Sequence, residues 1–145
     1  CGHLILEEAS YQEWNVKQKR MIDLYRSYKL SEEQQKYLDL SLPKAIKCIK
    51  EETSSSDKLI SEYPFLIKKD SLLIDGTIDL ISLEKNKINI YDYKFSEASE
   101  SEIKERYKKQ LKIYQCAAKK IFPNFNTINS FILLISKNNT QIIKI

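Results

Sequence analysis

Apolar residues recur at helical spacing through the first third of the chain and at strand spacing through the middle. Over residues 3–28, Leu4, Ile5, Ala9, Trp14, Met21, Ile22, Leu24 and Tyr25 return every few positions with charges between them. That is the period of an amphipathic helix, with a break expected near Ser10. Ser31-Glu32-Glu33-Gln34 then opens a further helix as a capping box. The serine hydroxyl and the Gln34 side chain each satisfy a backbone group that helix geometry leaves open. Pro43 has no N–H to give and is expected to kink or interrupt this helix before it resumes through Ile46 and Ile49. Three consecutive serines within residues 51–57 mark a loop.

A three-stranded meander is expected next, over residues 62–68, 72–83 and 87–94. Its β-branched content and the short polar turns at Lys69-Asp70 and at residues 84–86 carry that reading. In the third strand Ile88, Ile90, Asp92 and Lys94 share one face, and Asn89, Tyr91 and Tyr93 share the other. In the second, Asp75, Thr77, Asp79 and Ile81 lie opposite Ile74, Gly76, Ile78 and Leu80. Strand pairing brings Asp79 and Asp92 together only in one register, which the sequence leaves open. Ser99-Glu100-Ser101-Glu102 is a second capping box. It starts a helix running to about Ile121, with Ile103, Tyr107, Gln110, Leu111 and Tyr114 on one stripe and lysines over much of the rest. Pro123 ends it. Residues 127–136 read as a strand buried on both faces, and Asn138-Asn139 turns into a last strand over residues 141–145.

A chain of 145 residues with 42% hydrophobic and 30% charged positions is one globular domain in size and composition. Its helical part is expected over about 1–57 and its sheet and long helix over about 58–145. No run is long enough to span a membrane. The chain starts without Met and enters a helical pattern at once, so it reads as a piece of a longer protein. The net charge of +4 is compatible with nucleic acid but does not argue for it. Cys1, Cys48 and Cys116 form neither a disulfide framework nor a CxxC pair. A reducing compartment is expected, with Cys48 and Cys116 at buried helix positions and the tyrosines in the core.

The chemistry gathers around Ile90-Tyr91-Asp92-Tyr93-Lys94. Asp92 and Lys94 lie two apart, and so side by side on a strand. With Asp79 they would place two carboxylates and a lysine at the edge of a small sheet. Carboxylates hold hard divalent cations, and a lysine steadies charge that builds on a phosphate. An Asp-x-Lys on a strand is also a common surface ion pair, so these residues alone leave both readings open.

Five pieces in sequence order resemble the PD-(D/E)xK nuclease superfamily, and more narrowly the nuclease domain of RecB and AddA helicase–nucleases. They are His3-Leu4-Ile5-Leu6-Glu7-Glu8, Glu62-Tyr63-Pro64-Phe65, Gly76-Thr77-Ile78-Asp79, Asp92-Tyr93-Lys94 and Gln110-Leu111-Lys112-Ile113-Tyr114. No single piece is very specific; the five in order and spacing are. Aligning Gly2 with the family's glycine would move Leu6 to the histidine position. His3 is taken as the match because Glu7 then falls in place.

The resemblance implies an α/β fold with a restriction-endonuclease-like core, a small mixed β-sheet flanked by helices. It implies a deoxyribonuclease dependent on Mg²⁺ or Mn²⁺, with His3, Asp79, Asp92 and the backbone carbonyl of Tyr93 as metal ligands. Lys94 would serve the attacking water and the phosphate charge, Gln110 and Tyr114 the cleft, and Glu62 a supporting role or another metal. Relatives with an iron–sulfur cluster use four clustered cysteines; three scattered ones imply no such cluster here. The implied setting is the bacterial cytoplasm, where an exonuclease acts in double-strand break repair and recombination. Its partners would be single-stranded DNA, helicase domains of the same polypeptide and an AddB- or RecC-like subunit, with no membrane. The alternatives are a stand-alone exonuclease of a defence or CRISPR-linked system and a catalytically silent DNA-binding domain.

Overall fold

The computed structural model describes all of residues 1–145. Three helices come first: α1 (Gly2–Tyr11), α2 (Gln18–Ser27) and α3 (Glu32–Glu52). They are followed by β1 (Lys58–Lys69), β2 (Leu72–Glu84), β3 (Lys87–Phe95), α4 (Glu100–Ile121), β4 (Thr127–Ile135) and β5 (Thr140–Lys144). None of the helices is long and apolar enough to cross a membrane.

The five strands form one sheet in the order β1-β2-β3-β4-β5. β1, β2 and β3 are antiparallel neighbours, the expected meander. β4 runs with β3. The amides of Asn126 and Thr127 donate to the Asn86 carbonyl at the start of the two strands, and Ser96 N–H donates to the Ile135 carbonyl at their ends. Joining parallel neighbours needs a crossover, which α4 supplies. β5 turns back along β4, with Ser136 N–H donating to the Asn139 carbonyl and Ile145 N–H to that of Ser130. The sheet is therefore mixed, and the fold is the restriction-endonuclease-like α/β class.

Both capping boxes form. The Ser31 hydroxyl accepts from Gln34 N–H and the Gln34 side chain accepts from Ser31 N–H. Ser99 and Glu102 do the same at α4. The first helical stretch does break close to Ser10: α1 ends at Tyr11, and Glu13 and Trp14 just beyond take left-handed backbone angles that end a helix. Several expectations need correction. Pro43 does not interrupt α3, which runs unbroken over 21 residues; a missing N–H costs one hydrogen bond but packing keeps the helix. β1 begins at Lys58, four residues early. β3 does not alternate between core and solvent: Ile88 through Tyr93 are all buried, as a central strand must be. Cys48 and Cys116 are half-buried, and Tyr11 and Tyr28 are exposed.

The residues divide into two compact units. One holds Cys1–Ser54, Tyr93–Glu97 and Leu133–Gln141; the other holds Ser55–Asp92, Ala98–Ile132 and Ile142–Ile145. In the first, α1 packs on α3 through a core that includes Ile5, Leu6, Leu42, Ala45 and Ile49, all fully buried. In the second, α4 packs on β1, and Ile103, Leu111 and Ala118 are buried together with Ile78, Leu80 and Ile90. Each such side chain contributes about 1.5–3 kcal/mol by leaving water.

Candidate active site

The register left open by the sequence is resolved at the acids. The last pair of the β2–β3 ladder is Leu80 with Tyr91, so the next step along both strands is Asp79 and Asp92. The ladder stops there. On the other side of β2, Ser61 pairs with Leu80 and Tyr63 with Ile78, which leaves Glu62 across from Asp79. Glu62 has φ of 49°, a left-handed angle that takes it out of regular pairing. Directly opposed residues share a face of the sheet. Glu62, Asp79 and Asp92 thus stand at one level of three adjacent strands.

Asp92 is buried and Asp79 and Glu62 are half-buried. α4 brings Tyr114 to them. Its phenol is pushed up to about 12, first by burial and then by the charges of Asp92, Asp79 and Glu62, against the pull of a hydrogen bond from Gln110. That bond runs from Gln110 Nε2–H to the phenol oxygen at 2.7 Å, one helical turn apart as the spacing predicts. The Phe65 and Tyr114 rings meet in a T-shaped pair with centroids 5.7 Å apart. Phe65 in turn faces Gly76 across the β1–β2 pair. A Cβ on Gly76 would stand 2.7 Å from Phe65 Cζ; the glycine makes room for the ring. Asp75 is exposed, as a solvated acid would be.

The other group of expected residues lies around α1 and the end of β3. His3 is exposed on the first turn of α1, and its Nε2 is 2.7 Å from the Tyr93 carbonyl oxygen. Tyr93 itself is buried. Leu6, the other candidate for the histidine position, is fully buried. Lys94 is half-buried, two residues past Asp92 on β3. Glu7 is half-buried on α1.

The carboxylates of Glu62, Asp79 and Asp92 are donors of the kind hard divalent cations take. Neighbouring ligands in an octahedral shell with bonds of about 2.0–2.1 Å stand about 3 Å apart, close to the His3–Tyr93 spacing. No three His, Cys, Asp or Glu side chains form a metal cage of their own. A cation held by one or two of these carboxylates would complete its shell with water, as hard divalent cations do.

Two residues were missed by sequence reasoning. Phe95 follows Lys94 with its ring 5.4 Å from the His3 imidazole. Gly2 lets that ring approach, since a Cβ there would collide with it. The signal was available, because the chain has only two glycines and both lie against phenylalanine rings.

Known proteins bear on this arrangement. A model of the PD-(D/E)XK nuclease superfamily matches residues 3–142. An ATP-dependent helicase/nuclease subunit of Streptococcus pneumoniae (strain Hungary19A-6) is 29% identical over 99 residues, covering 63% of this chain and 8% of that protein. The protein of the same name from Lactococcus lactis subsp. lactis (strain IL1403) is 32% identical over 89 residues, covering 54% of this chain and 7% of its own length. The chain therefore spans less than a tenth of these curated relatives. A solved structure titled "Crystal structure of SSO0001" superposes with a TM-score of 0.47 at 16% identity, over 98% of this chain and 75% of that one.

Proposed function

The chain belongs to the PD-(D/E)XK nuclease superfamily, and on that footing we propose that it is a metal-dependent deoxyribonuclease domain hydrolysing phosphodiester bonds of single-stranded DNA. The observation that carries this is the end of the β2–β3 ladder at Asp79 and Asp92, with Glu62 at the same level. A sheet gains nothing from carboxylates set against each other; a cation does.

Asp79 and Asp92 would hold Mg²⁺ or Mn²⁺, and the Tyr93 carbonyl oxygen and His3 are the further ligands that the family resemblance implies. When bound, the ion supplies a lowered pKa for water and offsets charge on the phosphate. His3 now gives its Nε2 proton to the Tyr93 carbonyl. Moving that proton to Nδ1 turns the same two atoms into lone-pair donors. Lys94 holds the attacking water and meets the charge that grows on the phosphate. Tyr114 remains a neutral hydrogen-bond donor at every physiological pH, since burial and three acids oppose its ionisation. Because Gln110 donates to the phenol oxygen, the phenol's own proton is aimed elsewhere, toward carboxylate or substrate. Glu62 supports the acids or a second cation.

The setting follows the relatives. Their matching segments belong to helicase/nuclease proteins, which favours a nuclease coupled to helicase domains and to an AddB- or RecC-like subunit. In that setting it trims unwound strands during double-strand break repair in the bacterial cytoplasm.

The test is digestion of end-labelled single-stranded DNA with Mg²⁺ or Mn²⁺, comparing the parent with Asp92→Ala and Lys94→Ala. Cleavage should need the metal and fall by about 10²–10³ in each variant. A parent that binds DNA and metal but cuts nothing would sink the catalytic reading.

A further inference from the structure

Phe95 has neighbours on two sides. One is Gly2 and His3. The other is an open groove of about 500 Å³, whose remaining apolar walls are Leu30, Tyr37 and Leu38 and whose rim carries Lys36 and Lys137. Tyr37 is fixed in place, its hydroxyl donating to the Ile135 carbonyl at 2.9 Å. Burial, and then the charge of Glu97, holds its phenol above the usual range, so it stays a neutral ring. Neither Lys36 nor Lys137 belongs to a salt bridge.

We propose that this groove holds one unpaired base of single-stranded DNA, while Lys36 and Lys137 take the phosphates on either side of that base. The inference rests on the nuclease reading and adds how the strand is gripped. The volume lies within the range of small-ligand clefts and suits a nucleoside. Two aromatic side chains in one groove offer stacking surfaces that accept any base, because every base has a π-face. Charge separates base from backbone. Glu33 is the one acid on the lining, and Glu97 stands close by, accepting from Lys137 N–H at 2.7 Å; both turn phosphate toward the lysine side chains. Because a paired base cannot leave its duplex without cost, the groove selects single strands and is indifferent to sequence. Phe95 and Lys94 are consecutive at the end of β3 and so face opposite ways; a strand that meets both rounds that end, and the held base lies at a fixed offset from the cut.

An abasic walk tests this. A set of end-labelled oligonucleotides carries a single abasic residue at successive positions, and the cut at each phosphate is quantified with the 145-residue chain. Cleavage should drop about tenfold at one fixed offset from the abasic residue, in line with the worth of a base–aromatic stack. The drop should vanish in Phe95→Leu. Normal cutting with no offset effect overturns the groove and leaves the nuclease reading intact. If the parent cuts nothing, that reading falls instead, and fluorescence anisotropy in EDTA decides the groove. Oligothymidylate should then bind at least about fivefold tighter than an abasic oligomer; equal affinity overturns the proposal. Should Phe95→Leu fail to fold, Lys36→Ala/Lys137→Ala serves. Both residues are exposed, and losing two phosphate contacts should flatten the salt dependence of binding by about 1.4 in log–log slope. An unchanged slope counts against the groove.

Discussion

Replacing Gly76 by alanine probes how the surroundings of the acids are held. Gly76 stands across from Phe65, and a Cβ there would lie 2.7 Å from Phe65 Cζ and 3.0 Å from Cε1. Carbon atoms rest at about 3.5–4.0 Å, so the ring must retreat by roughly 1 Å. It has little room, being 6% exposed and in a T-shaped contact with Tyr114. Overpacking of this kind costs about 1–3 kcal/mol, while alanine recovers about 0.4–1 kcal/mol by restricting the unfolded chain. The net expectation is a loss of about 1–2 kcal/mol, read as a lower urea midpoint at unchanged slope. Combining Gly76→Ala with Phe65→Leu removes the collision, so the double variant should lose less than the sum of the two single losses. Coupling below about 0.5 kcal/mol, or a Gly76→Ala chain as stable as its parent, would refute the claim that this ring fills the glycine's empty side.

The β1–β2 turn offers a stabilising change. Asp70 and Ser71 both have positive φ, 50° and 67°, as a type I′ hairpin turn demands. Ser71→Gly relieves about 1–2 kcal/mol of left-handed strain against about 0.5–1 kcal/mol of added chain entropy; the thermal midpoint should rise by about 2–3 °C. Tyr114 predicts an alkaline limit. Its folded pKa of about 12 exceeds the unfolded value near 10. Its contribution is therefore whole below pH about 10 and is lost as pH rises toward 12. Denaturation midpoints measured across that window should fall more steeply for the parent than for Tyr114→Phe, and parallel curves would contradict it. His3→Ala should weaken Mn²⁺ binding in calorimetry by at least about tenfold, since losing even an outer partner of a metal ligand costs about 10–100-fold; unchanged affinity would remove His3 from the site.

Much of this was legible in the sequence because it is local. A capping box needs four residues, and both proved correct at Ser31 and Ser99. The meander announced itself through β-branched runs and short polar turns. What was hidden depends on tertiary context. Pro43 breaks a helix in isolation, yet α3 continues through it. Ile88 to Tyr93 alternate on paper but are buried throughout, since β3 is central and sequence does not say which strand is. The positions of Asp79 and Asp92 could be named from their motifs, whereas their common level depends on register, which is set by every pair in the ladder. Phe95 and Tyr37 were overlooked because a lone aromatic looks the same in a core and on the wall of a groove.

The row of acids sets local stability against charge placement. Opposed like charges weaken a sheet, and a left-handed glutamate adds roughly 1–2 kcal/mol of strain. A sequence selected for pairing alone would have continued the β2–β3 ladder and kept Glu62 extended. Here the ladder stops at Leu80 and Tyr91, and β1 keeps its register on both sides of Glu62, so the strain falls on that one residue. The flanking positions carry the fold, with Leu80, Tyr91 and Ile78 fully buried. Because these neighbours fix the strands independently, the acids can be held close together without unravelling the sheet. Local rules that fail at one level of the sheet and hold on either side mark a place kept for what it binds.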